Sequence, residues 1–306
     1  PAMSGVTETI EELLYVVRNS STQALFGFCS TYFYSESKLG VISALFVDPS
    51  KRNLSIGHSL HQRALRGLLS KPGLKKIKLG GSLPSIFLGI PMIDLTEGER
   101  LKCWFNSNGW KNSSSRLRYI LRLPNLENWN PPEDLVKNVQ RVSFSFDLIH
   151  DNETVNTLLE YISRFTEPET LALYQLALPD VNGIVRAKSP VDGSLVGTVI
   201  VSQMISHLAP ISPTLNSPYT MSKHLENTDN CVGGILAPVV TNSPHAAIIL
   251  QGLVLLGIRQ IKSLGYTSCI ISQVQEEQRD ILIKMGFDVL DAFQELNCEA
   301  KHLCLD

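Results

Sequence analysis

Residues 45–60, LFVDPSKRNLSIGHSL, join a strand to a helix through a short turn. The apolar run at 41–47 predicts a β-strand, and Asp48 and Pro49 end it. Apolar residues then recur every four positions, which predicts a helix over 56–69. The N–H groups of such a turn and the positive end of the helix dipole point to one place. The sequence therefore predicts an anion site that suits phosphate.

The composition is that of a folded protein without a strong charge bias. The chain is 43% hydrophobic and 18% charged, which is enough apolar material to bury a core. A net charge of -2 gives no reason to expect direct nucleic-acid binding or membrane attraction. No uninterrupted apolar run reaches about 18 residues, so no transmembrane helix is expected. Four lysines lie close together and are expected to be solvated: Lys71, Lys75, Lys76 and Lys78.

The cysteines give no sign of a metal site. Six are scattered along the chain, with no CxxC pair and no histidine at zinc spacing. Free thiols in a reducing compartment, cytoplasmic or nuclear, are the simplest interpretation, and no metal is expected. Because the chain starts at Pro1 rather than Met, we expect it to be a piece of a longer protein.

The same order of predicted elements occurs twice: strand, long helix, strand, short helix, then Gly-aromatic. In the first half these are 41–47, 56–69, 75–79, 95–107 and 109–110, where Gly109-Trp110 is expected to begin another strand. In the second half they are 231–240, 246–264, 268–272, 278–285 and 286–287. The other predicted strands are 13–18, 24–34, 117–123, 142–148, 171–178, 183–188 and 195–203, with a helix at 154–165.

A duplicated α/β unit is the economical explanation of this repeat. We expect a first lobe at 1–123 and a second lobe at 141–306. Residues 124–140, rich in Pro, Asn and Trp, are expected to link them. Residues 206–230 have no period and are interpreted as an inserted loop in the second lobe.

The first turn resembles motif A of the GNAT (GCN5-related) N-acetyltransferases, which reads V-x-P and then Q/R-x-x-G-x-G/A before a helix. Residues 47–57, VDPSKRNLSIG, follow this pattern, with Ser55 in place of the first glycine. Serine is tolerable at this position if its φ is negative, and its hydroxyl could itself reach a phosphate. Gly109-Trp110 resembles the closing segment of the family. The resemblance extends to both halves and implies two tandem GNAT-like lobes, each a mixed, mostly antiparallel sheet flanked by helices.

More narrowly, the chain is similar to the two-lobed GNAT region that follows a family-3 glycoside-hydrolase-like domain in fungi. Residues 87–91, FLGIP, and 286–290, GFDVL, carry this likeness. Members of that group include an N-acetylglucosamine sensor with histone acetyltransferase activity. The resemblance implies an N-terminal hydrolase-like domain as a partner of this region, and it leaves open whether the chain forms a dimer.

The resemblance also implies acetyl-CoA as cosubstrate. The pantetheine would pair like an extra strand with Leu45, Phe46 and Val47, and the N–H after the strand would face the thioester oxygen. The remaining implied cofactor residues lie on the turn and would hold the diphosphate: Arg52, Asn53, Leu54, Ser55, Ile56, Gly57 and His58. The alternative is an ordinary strand-to-helix connection with Ser55 as the N-cap.

The sequence departs from the family where proton transfer is concerned. Many members carry a glutamate on the strand before the turn, but residues 40–44 contain no carboxylate. Phe105 and Leu282 stand where many members have a tyrosine that acts as general acid toward the leaving thiolate. Asp94 is the nearest catalytic candidate, although 94–97, DLTE, is also typical of a helix cap. Residues 242–247, NSPHAA, lack arginine and glycine and are interpreted as a degenerate second turn.

These observations leave three hypotheses open. The first is an N-acetyltransferase acting on a primary amine, with protein lysine of the histone type as the favoured acceptor. The second is a glucosamine N-acetyltransferase. The third is a non-catalytic acetyl-CoA-binding or sensor module, which the missing glutamate and tyrosine favour.

Overall fold

The computed structural model of the chain describes residues 9–81, 88–110, 114–149, 153–178, 183–203 and 232–303. The chain divides into two units: Pro1–Leu117 with Phe293–Asp306, and Arg118–Ala292. The sequence-based lobes differ from these units at both ends, since 118–123 belong to the second unit and 293–306 to the first. The inserted loop expected at 206–230 lies outside the described residues.

Among its described residues, the first unit has one mixed sheet and two α-helices. Its strands are β1 (Ile10–Arg18), β2 (Leu25–Tyr34), β3 (Leu39–Val47), β4 (Lys76–Leu79), β5 (Ile90–Pro91) and the later part of β12 (Asp288–Glu299). Its helices are α1 (Ile56–Leu69) and α2 (Leu95–Phe105). The strand order is β1-β2-β3-β4-β12, and β5 pairs with β12. Only β3 and β4 are parallel among these described pairs.

Helix α1 forms because its apolar residues recur on one side and can be buried together. Leu60, Ala64 and Leu68 lie in one buried cluster with Ile42 of β3 and Ile77 of β4. Burying each large aliphatic side chain stabilises the unit by about 1.5–3 kcal/mol. This packing holds the start of α1 at the end of β3, where the predicted anion site lies.

The second unit contains a similar sheet and more helices. Its strands are β6 (Ser114–Leu123, from Arg118 on), β7 (Ser145–Leu148), β8 (Ile184–Lys188), β9 (Leu195–Gln203), β10 (Val232–Val240) and β11 (Ser268–Gln275). Its helices are α3 (Glu133–Arg141), α4 (Glu153–Phe165), α5 (Pro168–Ala177), α6 (Ala246–Ser263) and α7 (Glu276–Lys284). The strand order is β6-β11-β10-β9-β8-β7, and β10 and β11 run parallel.

One strand prediction in the second half is wrong, and part of the expected linker is helical. Residues 171–178 were expected to form a strand but lie mostly in α5, where Pro168 occupies the first turn, a position that suits proline. Residues 124–140, expected to be a linker, include most of α3, an amphipathic helix with Leu135 buried. The prediction of mixed α/β lobes with mostly antiparallel sheets is confirmed.

In each unit, the strand at one end of the strand order comes from a part of the sequence that was assigned to the other lobe. β6 follows the helices of the first unit in sequence, but its residues from 118 to 123 pair with β11 of the second unit. β12 follows α7 of the second unit, but its residues 296–299 pair with β4 of the first. Each sheet is therefore completed by a strand that lies across the unit boundary in sequence.

Helix α6 is long and apolar enough, by length and composition, to cross a membrane. Half of it is buried inside the structure, with Leu253, Val254 and Ile258 among the buried residues. A core helix of a folded unit passes the same test of length and composition, and α6 packs against β9, β10 and β8.

Candidate functional site

The parallel strands β3 and β4 separate half-way along β3. Their pairing runs from Leu39 opposite Lys76 to Ile42 opposite Leu79, and the Gly80 N–H donates to the Ile42 carbonyl at 3.0 Å. On its other side, β3 has a bulge opposite Ser30 and then stays paired with β2 up to Val47. Within the described residues, the end of β3 is thus paired on one side only. Its other edge can bind an extended ligand through backbone groups.

The turn after β3 begins with a short 3-10 helix, Pro49–Lys51. The Asp48 carboxylate shapes it by accepting hydrogen bonds from the Ser50 hydroxyl and the Ser50 N–H, each at 2.8 Å. These hydrogen bonds hold the pKa of Asp48 below its usual value. Arg52, Asn53 and Leu54 then follow as exposed residues before α1.

Ser55 lies in the left-handed region, with φ at 57°, and Asn53 does so too, with φ at 65°. The condition of a negative φ at Ser55 is therefore not met: the serine adopts the left-handed conformation that glycine adopts most easily. Ser55 is the N-cap of α1, but its side chain makes no capping hydrogen bond. The first N–H groups of α1, which have no partners inside a helix, are thus not used by this side chain.

Replacing Ser55 by glycine should stabilise the first unit by about 1 kcal/mol, because glycine adopts the left-handed conformation without a Cβ clash. Gly73→Ala is the matched control. Gly73 has φ at 72° with only the Lys38 side chain near its Cβ position, at 3.6 Å, so this change should lower stability. Thermal unfolding measures both. A Ser55→Gly midpoint at or below that of wild type would show that the turn is not strained.

Gly57 is not required by backbone conformation or by packing. A Cβ built there would lie 3.5 Å from Val47 Cγ2 and 4.0 Å from a ring carbon of Trp104, which are ordinary contacts. A small side chain would therefore fit at this position, and glycine leaves the backbone of the first turn of α1 uncovered there. Nearby, the half-exposed Arg52 guanidinium lies 3.9 Å from the Glu97 carboxylate of α2.

Two histidines of α1 are held by residues that follow α2. The His58 Nδ1 atom lies 2.7 Å from Asn108 Oδ1, and Asn108 Nδ2 donates to the Trp104 carbonyl at 2.7 Å. Trp110 Nε1–H donates to His61 Nε2 at 2.9 Å. Burial and the neighbouring His58 charge lower the pKa of His61 to about 4, so this ring is neutral at physiological pH.

Asn108 and Trp110 are functional candidates that the sequence did not identify. Gly109-Trp110 was expected to begin a strand, but these residues lie in a turn, Asn106–Trp110, that bends the chain after α2. Trp110 is fully buried there. The signal available in the sequence was the dipeptide Asn108-Gly109, which is typical of turns.

The residues considered for proton transfer have structural roles. Asp94 is the N-cap of α2, and its carboxylate accepts from the Thr96 and Glu97 N–H groups at 3.0 and 3.1 Å. Phe105 is buried, with its ring centroid 5.8 Å from that of His61. Within the described ranges, no group of three His, Cys, Asp or Glu side chains is placed to hold a metal ion.

A buried ion pair lies one strand away from the point where β3 and β4 separate. Lys78 Nζ of β4 is 3.3 Å from Glu295 Oε2 of β12, and both side chains are 1% exposed. Asn297 Nδ2 donates to Glu295 Oε1 at 2.8 Å. The expectation that Lys78 is solvated was wrong, because the late strand β12 covers β4 and supplies a carboxylate.

The second unit has the same strand geometry, but its own side chains bind the backbone where the two parallel strands stop pairing. β10 and β11 are paired from Val232 opposite Ser268 to Leu236 opposite Ser272, and β10 then has a register shift against β9. The buried Tyr174 hydroxyl donates to the Ala237 carbonyl at 3.0 Å. Gln278 Nε2 donates to the Pro238 carbonyl at 3.3 Å. Side chains of the unit itself therefore occupy backbone acceptors at the second opening.

The turn before α6 also differs from the first turn. His245 is the N-cap of α6 without a side-chain capping bond, and its ring packs on Phe144 with centroids 5.7 Å apart. Pro244 has no N–H to offer an anion. This agrees with the interpretation of 242–247 as a degenerate copy of the first turn.

Comparison with solved structures defines the class of this fold. Structures of GNAT N-acetyltransferases align over nearly the whole chain, and the tandem GNAT fold that the first turn implied is thereby shown. No family model and no curated protein matches the chain.

Three of these structures illustrate the similarity. A GCN5-related glucosamine N-acetyltransferase region of a fungal multi-domain GH3 β-N-acetylglucosaminidase aligns with a TM-score of 0.72 and 22% identity over 94% of this chain. The chain spans only 33% of that protein. A tandem GNAT protein from the clavulanic acid biosynthesis pathway gives 0.59 and 15%, over 95% of this chain and 83% of that one. A GCN5-related N-acetyltransferase from Sphaerobacter thermophilus gives 0.58 and 12%, over 94% and 80%.

Proposed function

We propose that this chain is an acetyl-CoA-dependent N-acetyltransferase and that acetyl-CoA binds in the first unit. The observation that carries the proposal is the contrast between the two strand openings. In the first unit, the end of β3 keeps one edge unpaired among the described residues and leads into a turn without a capping side chain. In the second unit, Tyr174 and Gln278 bind the carbonyls of Ala237 and Pro238, directly after the last residue of β10 that pairs with β11.

The end of β3 suits the pantetheine arm. Leu45, Phe46 and Val47 have backbone groups on an edge that β4 no longer covers, and the pantetheine amides can pair with such an edge as a strand does. Phe46 is 41% exposed, so an apolar surface is available beside this edge. Shielding it with the methylene groups of the ligand would add to affinity.

The turn suits the diphosphate. Arg52 supplies a guanidinium, and the N–H groups from Asn53 to His58 lie at the positive end of the α1 dipole. The space left by Gly57 allows the phosphates to approach the backbone. The two parts of the proposed site follow each other along the chain, as an extended ligand requires.

In the reaction, the amine nitrogen attacks the thioester carbonyl carbon, the carbon–sulfur bond breaks, and the sulfur leaves as thiolate. An N–H at the end of β3 would stabilise the developing oxyanion. We assign no side chain as the base, because Asp94 caps α2 and the Glu295 carboxylate is buried against Lys78. The amine must therefore bind in its neutral form or lose its proton to water.

For the acceptor, we propose glucosamine ahead of protein lysine. The fungal region with a TM-score of 0.72 is described as a glucosamine N-acetyltransferase, although its identity to this chain is only 22%. Thiol release in the presence of acetyl-CoA, with glucosamine or a histone-tail peptide as acceptor, separates the two. Binding without turnover on either amine would favour the non-catalytic sensor module instead.

Calorimetry with acetyl-CoA tests the proposal directly. We expect micromolar or tighter affinity and one acetyl-CoA per chain, because side chains bind strand carbonyls at the second opening, and none of the described residues does so at the first. ADP and pantetheine, titrated separately, should each bind more weakly than the intact molecule. Absence of heat with acetyl-CoA would overturn the proposal, and a stoichiometry of two would overturn the assignment of a closed second opening.

A further inference from the structure

Strand β1 forms one edge of the sheet of the first unit. Among the described residues it pairs only with β2, so the N–H and C=O groups of its other side have no strand partner. Such an edge is a template for a further strand, and proteins usually block it with charged residues, proline or a bulge. The central residues of β1, 13–17 (LLYVV), are uncharged and contain no proline. The register shift beside Arg18 places its extra residue, Phe26, in β2 and leaves β1 regular.

The middle of this edge strand is apolar and exposed on both faces. Tyr15 and Val17 pack, partly buried, on the cluster that contains the core residues of α1. Leu14 and Val16 point to the opposite face, because successive side chains of a strand alternate, and they are 59% and 41% exposed. Leu13, on the same face as Tyr15, is 38% exposed. Exposed apolar side chains beside an unpaired backbone edge indicate a surface that another strand covers.

The sequence of β1 is complementary to itself in the antiparallel direction. When Tyr15 lies opposite Tyr15 of a second copy, on a two-fold axis, aliphatic residues face aliphatic residues and an acid faces a base: Leu14 and Val16, Leu13 and Val17, Glu12 and Arg18. Opposite charges directly across two strands stabilise their pairing, and like charges weaken it. A shift by two residues, the smallest that keeps every side chain on its face, would place Arg18 opposite Ile10 or Leu14. The charges therefore select one register.

We propose that β1 pairs with β1 of a second copy of this chain, antiparallel about Tyr15, and that the first unit thereby forms a symmetric dimer. The inference goes beyond the proposed function and does not rest on it. The charges at the ends of the pairing favour a second copy as the occupant. Among the described residues of one chain, Arg18 has no carboxylate partner, and the Glu12 carboxylate accepts from the neutral Tyr32 hydroxyl at 2.8 Å. The dimer gives each of these two charges a partner of opposite sign.

Charge reversal tests the register, with the dimer dissociation constant measured by sedimentation over a range of protein concentrations. Arg18→Glu puts like charges opposite each other at both ends of the pairing and should raise the constant by about tenfold or more. Glu12→Arg should do the same. An equimolar mixture of the two variants should recover the dimer, since every charged pair between them is again acid opposite base. Arg164→Glu, the same change at an exposed residue of α4, should leave the constant unchanged.

Leu14→Lys tests the pairing itself, because a lysine on an edge strand opposes the addition of a further strand. Leu14 is largely exposed, so the chain should stay folded, which thermal unfolding verifies. We expect this variant to be monomeric at concentrations where wild type is dimeric. Val191→Lys, at a residue of the second unit that is 92% exposed, is the matched control and should remain dimeric.

Three results would overturn the inference. The first is a wild-type chain that is monomeric at every concentration, which would leave the edge to a strand of a different protein. The second is a dimer that neither Arg18→Glu nor Leu14→Lys weakens, because its interface would then lie elsewhere. The third is a mixture of the two charge variants that stays monomeric, because Glu12 would then not lie opposite Arg18. Each of these results leaves the proposed function intact.

Discussion

Replacing Gly57 by glutamate should weaken acetyl-CoA binding by about a hundredfold or more, because a carboxylate beside a diphosphate costs several kcal/mol. The first unit should stay folded. The Cβ position at Gly57 is in ordinary contact with Val47 and Trp104, and the backbone there is helical. The added side chain would occupy the space in front of the turn that the proposed site needs.

The matched control for this change is Ser59→Glu, which adds the same charge to the same helix at an exposed residue. It should weaken binding only slightly. Gly57→Ala, which adds volume without charge, should lie between the two. Calorimetry gives the affinities, and circular dichroism with thermal unfolding verifies the fold. If Gly57→Glu binds as well as Ser59→Glu, the diphosphate does not lie at this turn.

Lys78→Met should destabilise the first unit by about 4 kcal/mol, because it removes the buried cation of an ion pair and keeps the buried Glu295 carboxylate. Both side chains of the pair are 1% exposed, so water cannot take the place of the lysine without a structural change. The loss should appear in calorimetric unfolding or in denaturant titration followed through the first unit.

The double variant Lys78→Met/Glu295→Met distinguishes a lost charge pair from lost packing. Removing both charges should bring stability back to within about 2 kcal/mol of wild type, with the remainder arising from the Asn297 amide that loses its acceptor. Lys75→Met, at an exposed position in the same segment, should have little effect. A single variant as stable as wild type would contradict the importance of the ion pair.

Local patterns predicted the elements around the candidate site. The strand, the turn and α1 follow from apolar runs and breakers within residues 41–69, and the structure has them at nearly those bounds. The backbone of the turn did not follow from them. Nothing in the residue type of Ser55 indicates a left-handed φ, since serine rarely adopts it.

Two kinds of error have clear physical causes. The segment 171–178 is almost entirely apolar, and such a run is compatible with a buried strand or a buried helix; Pro168 at the helix start was the signal to use. Lys78 seemed to belong to a solvated lysine cluster because its partner, Glu295, is far away in sequence. Pairing between distant strands leaves no local pattern in a single sequence.

The assignment of β12 to the first unit has a consequence for biosynthesis. A ribosome completes residues 118–292 before it reaches the segment 293–299 that covers β4. The unit that begins first in this chain is therefore the last to be finished, and the sheet beneath its α1 turn is complete only after residues 293–299 have been made. A premature stop codon just before that segment would remove the strand that covers β4 and so destabilise the proposed acetyl-CoA site, although every residue of that site had been made.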